Sequence, residues 1–165
     1  MKKIIISFGL IIGLLLSTNA IIHINMMYSN TEYKANDVLG YATLVILFSL
    51  IYFGVRSYRN NHLQGKISFP KALKIGAIIC FLASTVYVIL GLSYYYLFAP
   101  DFIDVLSEFM IKNSAPDKVE ETTANMANFK EMYKNPLFAI FVSYMEVLPI
   151  GLLVTLLSAF IVKKK

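Results

Sequence analysis

Charge is scarce in this chain. Only 15% of its 165 residues are charged, against about 25% in ordinary soluble domains. Hydrophobic residues make up 58%, and the mean hydropathy is +0.65. That composition excludes an ordinary soluble globular domain. Cysteine is nearly absent. Cys80 stands alone inside an apolar run, so no intrachain disulfide can form and cysteine usage says nothing about redox compartment. No CxxC, HExxH, GxGxxG or phosphate-loop pattern occurs. The formal net charge is +5, yet the cations cluster beside apolar runs. That placement reads as membrane topology and not as a nucleic-acid groove, so nucleic acid is not expected as a partner.

What the chain does have is four long apolar runs, at about 4–24, 38–55, 72–98 and 137–162. A helix crossing about 30 Å of hydrocarbon needs roughly 20 residues. Only helices and closed barrels satisfy every backbone group in lipid, and these runs are too long and too continuously apolar for barrel strands. The fold expected is an all-α integral membrane bundle of four transmembrane helices. It forms one domain, with residues 99–135 as its only sizeable extramembrane segment.

The charges between the runs set the threading. Lys2 and Lys3 precede the first run, and Lys163, Lys164 and Lys165 end the chain. The first loop carries Glu32, Lys34 and Asp37. The second carries Arg56, Arg59, Lys66, Lys71 and Lys74 without an acid. The third carries seven acids against Lys112, Lys118, Lys130 and Lys134. The positive-inside rule then places both termini and the second loop in the cytoplasm, with the protein multi-pass in a bacterial inner membrane. Tyr94, Tyr95 and Tyr96 suit the outer aromatic belt; Tyr52, Phe53 and Tyr58 suit the inner one. The five cations of the second loop are topogenic, each attracted to anionic headgroups by about 1 kcal/mol near the surface.

The opening stretch admits two readings. Lys2-Lys3, an apolar core and the small residues of Thr18-Asn19-Ala20 resemble a cleavable signal. Against that, the apolar run continues through Ile21, Ile22, Ile24, Met26 and Met27, long enough to span. Gly9, Gly13 and Ser17 also repeat every four residues, the stripe by which a membrane helix approaches a neighbour. A retained first helix is the expectation. Ala72, Gly76, Cys80 and Ser84 repeat the device in the third run, and Gly151, Thr155 and Ala159 in the fourth. Cys80 is then a small packing residue and not a reactive thiol.

Residues 99–135 predict two helices broken near Ala115-Pro116. The first has Phe102, Ile103, Leu106, Phe109 and Met110 on one face, opposite Asp101, Asp104 and Glu108. The second has a weaker stripe of Val119, Thr123, Met126, Phe129 and Met132 or Tyr133. Together they form an amphipathic hairpin in the outer loop. Ser68 is expected to cap a third-run helix that begins around Phe69-Pro70.

Glu146 is the one acid inside an apolar run. Acids at that depth are rare and face the bundle interior or water. Pro149 follows three residues later and frees the carbonyl of Met145 beside it. Asn19 and His23 on the first run, and Tyr87 and Tyr94 on the third, are candidate partners. Three readings follow: a structural hydrogen bond between helices, a proton- or cation-handling site, or a carboxylate that reaches the outer interface. No second acid, no paired histidines and no Ser–His or Cys–His set lies in the runs. No catalytic residue, metal ligand or cofactor site is therefore expected.

The segments IYFGVRSYRNN through GKISFPKALKIG, then FAPDF after a tyrosine-rich helix end, and the terminus VLPIGLLVTLLSAFIVKKK resemble the bacterial membrane family designated domain of unknown function 4199. The resemblance covers nearly the whole chain. It implies a four-helix inner-membrane protein, and it implies no activity or functional residue. The leading expectation is a non-enzymatic membrane accessory or scaffold protein acting through helix packing and its outer loop. Its partners would be the lipid bilayer and either a second copy or another membrane protein. The rival is a small proton- or ion-coupled transporter using the membrane-embedded Glu146. The absence of an internal repeat with paired broken helices counts against it.

Overall fold

The computed structural model describes residues 2–29 and 36–164, apart from the side chain of Asp37. Glu32 and Lys34 of the first loop lie outside the described residues. The chain is an all-α bundle. Its helices are α1 (Lys2–Ser29), α2 (Asp37–Phe48), α3 (Leu50–His62), α4 (Phe69–Phe98), α5 (Phe102–Lys112), α6 (Val119–Tyr133) and α7 (Pro136–Val162). Four helical stretches are long and apolar enough to cross a membrane: Lys2–Ser29, Val38–His62, Phe69–Phe98 and Pro136–Val162. Helices α2 and α3 make one of these, joined through Ser49. The Ser49 N–H bonds the Val45 and Ile46 carbonyls, and its hydroxyl bonds the Ile46 carbonyl.

The second span therefore ends at His62 and not near residue 55. Arg56 and Arg59 ride on the last turns of α3 and are not loop residues. Ile51, Val55 and Tyr58 continue the buried face past Arg56, and long cations tolerate such a position by extending their stems toward water. Tyr58 is buried, stacked edge-on with His62 at 5.3 Å, so it does not belong to an interfacial belt. Ser68 does precede the first turn of α4, but its side chain makes no capping bond.

Helix α4 is the centre of the bundle. It packs parallel to α1 on one side and antiparallel to α7 on another, and the small-residue stripes are the contact lines. A Cβ on Gly9 would lie 2.6 Å from Leu82, and one on Gly13 would lie 2.6 Å from Val86. On the α4–α7 side, Gly76 meets Thr155 and Gly151 meets Cys80. Phe69 stacks on Phe160 at 4.5 Å. Close backbone approach lets dispersion and interhelical hydrogen bonds hold helices together where lipid removes the hydrophobic drive.

One buried polar atom is left over. Among the described residues, Ser84 Oγ is the buried side-chain oxygen with no hydrogen-bond partner. It finds only the weak thiol of Cys80 one turn earlier. An unmatched buried hydroxyl costs about 1–3 kcal/mol. Ser84→Ala is therefore expected to leave unfolding stability unchanged or raise it by about 1 kcal/mol, as read by thermal unfolding in detergent.

The amphipathic hairpin is present. Helices α5 and α6 are separated by residues 113–118, with a 3-10 turn at Pro116–Lys118, at the expected break. Ser114 Oγ donates to Thr122 Oγ1 at 2.9 Å across the turn, and Lys130 pairs with Asp104 between the helices. Ile103 and Met126 are the buried residues of the two inner faces. Tyr28 donates to Asp101 at 2.7 Å, tying the end of α1 to the start of the hairpin.

Candidate functional site

The α4–α7 seam carries two interhelical side-chain bonds. The Tyr87 hydroxyl donates to Glu146 Oε2 at 2.7 Å. The Thr85 and Tyr144 hydroxyls lie 2.8 Å apart, beside the Phe81–Tyr144 ring stack at 5.9 Å. Glu146 is ten residues beyond Pro136 and sixteen before Val162. At about 1.5 Å per residue it lies within roughly 5 Å of the middle of α7. Tyr87 stands just as close to the middle of α4, so the bond is deep in the span.

The two partners differ in environment. Tyr87 is buried at 8% exposure, while Glu146 is exposed on the flank of α7. Pro149 and Leu153 share that flank and are also exposed. Helix α7 runs through Pro149 without a break. The proline has no N–H for the Met145 carbonyl, which leaves a second acceptor near Glu146.

Toward the hairpin, hydroxyl groups continue the polar line. The Tyr133 hydroxyl at the end of α6 lies beside Ser143, whose own proton goes to the Ala139 carbonyl at 2.9 Å. Burial pushes the Tyr133 hydroxyl above the usual tyrosine range, the neighbouring Ser143 opposes that rise, and the field of Glu146 adds to it. Tyr133 meets Tyr95 edge-on at 5.4 Å, and Tyr95 lies within the field of the Asp104–Lys130 pair. From mid-span to hairpin, Glu146, Tyr133, Tyr95 and that ion pair follow one another.

Of the candidate partners of Glu146, the bond falls to Tyr87. Asn19 and His23 stand on α1, where the register that sets Gly13 against Val86 places them nearer the hairpin than Tyr87. Asn19 is half-buried on α1 and His23 lies one turn beyond it. Asn25 of α1 does bond α4: its amide donates to the Tyr94 hydroxyl at 2.9 Å. Asn25 stands six residues beyond Asn19 and about 120° around the helix from it, on another face.

The second-loop cations separate into four settings. Arg56 lies over Tyr52, 6.0 Å from the ring centroid. Arg59 donates to the Val162 carbonyl at 2.9 Å and so caps the end of α7. Lys66 and Lys71 line a cavity of about 350 Å³, while Lys74 is exposed outside it. Lys164 joins that cavity from the tail, and the spacing along the sequence gave no sign of this.

A family model described as Protein of unknown function (DUF4199) matches residues 7–164 of the chain. No curated protein and no solved structure matches it.

Proposed function

The chain belongs to that family, and we propose that it is a non-enzymatic accessory protein of a bacterial inner membrane, associating with a second copy of itself through the Glu146 flank of α7. One observation carries the reading. Glu146 is exposed near the middle of a span, with Tyr87 as its hydrogen-bond donor on one oxygen. Hydrocarbon offers the other oxygen nothing, and an unmet polar group there costs several kcal/mol. A two-fold axis beside Glu146 would bring two carboxyl groups together. In protonated form each both donates and accepts, so the flank complements itself. By the distribution of lysine and arginine, the termini and the α3–α4 loop face the cytoplasm and the hairpin faces outward.

Cysteine crosslinking tests the flank. Leu153→Cys places an accessible thiol one helical face along from Glu146, while the native Cys80 is fully buried. Oxidation in membranes is expected to give a disulfide dimer from Leu153→Cys and none from Val45→Cys on the exposed side of α2. Equal crosslinking at both positions, or none at Leu153→Cys, contradicts the reading.

A second reading, proton or cation handling at Glu146, is favoured by the line of hydroxyls from Tyr133 through Tyr95 to the Asp104–Lys130 pair. Its signature is a pH-dependent flux in proteoliposomes that Glu146→Gln abolishes; equal flux in both proteins removes it.

A further inference from the structure

The cavity at the end of the bundle opposite the hairpin is built by the backbone and not merely bordered by loose side chains. Gln64 and Gly65 adopt positive φ, 52° and 82°, and turn the chain sharply after α3. Ile67 then pairs with Lys164 in an antiparallel bridge, N–H to carbonyl in both directions at 2.8 and 2.9 Å. The Arg59 bond to the Val162 carbonyl holds the same tail from the other side. These contacts fix the backbone of Lys66, Lys71 and Lys164 around one hollow, with Leu63 and the buried Ile67 as its apolar floor and the Ser68 hydroxyl at its rim.

Three lysines thus line one open hollow. The ion pairs among the described residues are Lys130–Asp104 and Lys134–Glu131, both at the hairpin end. Neither neutralises this cluster. Like charges held together by a fixed backbone repel unless an anion sits between them. The hollow lies where the bundle leaves the apolar span, the depth of lipid headgroups, and its floor is apolar. Lys66, Lys71 and Lys164 present up to three donors each, and a phosphate group has the charge and the oxygens to take them.

We propose that this cavity is a binding site for a phosphate-bearing anion, held by Lys66, Lys71 and Lys164. Two sources offer that chemistry: the headgroup of an anionic phospholipid and free inorganic phosphate. The site is independent of the Glu146 flank, so its failure leaves the association reading intact.

The test is native mass spectrometry and thermal unfolding of the purified full chain in neutral detergent. The probes are phosphatidylglycerol, phosphatidylcholine and inorganic phosphate. Each lysine near an anionic group is worth about fivefold in affinity, so Lys66→Gln/Lys71→Gln/Lys164→Gln is expected to weaken binding roughly a hundredfold. All three side chains are exposed, so the variant folds, and the triple arginine variant retains binding. Phosphatidylglycerol adducts that the triple variant loses, with no effect of millimolar phosphate, identify the lipid source. Phosphate protection that the triple variant loses identifies the free anion. Binding of every probe within threefold of wild type in the triple variant overturns the proposal. So does an equal loss on neutralising Lys118, Lys130 and Lys134 at the hairpin end.

Discussion

Glu146→Leu is expected to turn an associated protein into a monomer. Polar side chains that bond across membrane helices contribute about 1–2 kcal/mol in model peptides. A shared carboxyl pair is therefore worth about 2 kcal/mol, or roughly thirtyfold in the association constant. Glu146→Gln keeps a donor and an acceptor and should lose only a few-fold. The substitution also acts inside the chain. Tyr87 is buried, and without Glu146 its hydroxyl loses its acceptor. That costs about 1–3 kcal/mol of stability. The double variant Tyr87→Phe/Glu146→Leu removes both polar groups and should recover the stability without recovering association. Loss of association in the double variant thus reports the flank itself. If instead the double variant associates as wild type does, Glu146 serves only to bond Tyr87.

Gly151→Leu is expected to break the α4–α7 seam. Even a single Cβ at this position would lie 2.5 Å from Cys80 Sγ and 2.7 Å from Phe48 Cε1. Both neighbours are fully buried, so neither has room to withdraw. Overpacking a close-packed core costs about 1–3 kcal/mol and occasionally more, and leucine adds three further carbons to that clash. A loss of about 3 kcal/mol or a failure to fold follows, measured by unfolding in detergent. Gly151→Ala should lose less and be partly rescued by Cys80→Ala, which removes the nearest atom. Gly40 is the contrast. Nothing stands within 4 Å of its would-be Cβ, and a helix gains about 1 kcal/mol when alanine replaces glycine. Gly40→Ala should therefore be neutral or stabilising. Equal effects at the two glycines would mean that α4 and α7 do not meet along this line.

The bundle was largely readable because its signals are local. Four apolar runs became four membrane-capable spans, and the stripes of Gly9 and Gly13, Gly76 and Cys80, and Gly151 and Thr155 became the helix contacts. The break in the hairpin followed from Ala115-Pro116, because the residue before a proline is biased away from helix. The end of the second span was not readable from hydropathy, because Arg56 and Arg59 interrupt it. The spacing of Ile51, Val55 and Tyr58 was the signal that a buried face runs on. The depth of Glu146 along its helix was legible, but its partner was not, since depth alone does not say which helix stands beside α7. Tyr87 stands level with Glu146, whereas the register that sets Gly13 against Val86 places Asn19 and His23 further toward the hairpin. The lysine cavity depends on a bridge between residues 67 and 164, and no local pattern announces a pairing over that distance.

The most direct test of the account is native mass spectrometry of the chain released from lipid nanodiscs, wild type beside Tyr87→Phe/Glu146→Leu. Wild-type protein is expected at twice the 18.6 kDa protomer mass and the variant at the protomer mass alone. Wild-type protein found only as a protomer would contradict it, and so would a dimer of equal abundance in both proteins.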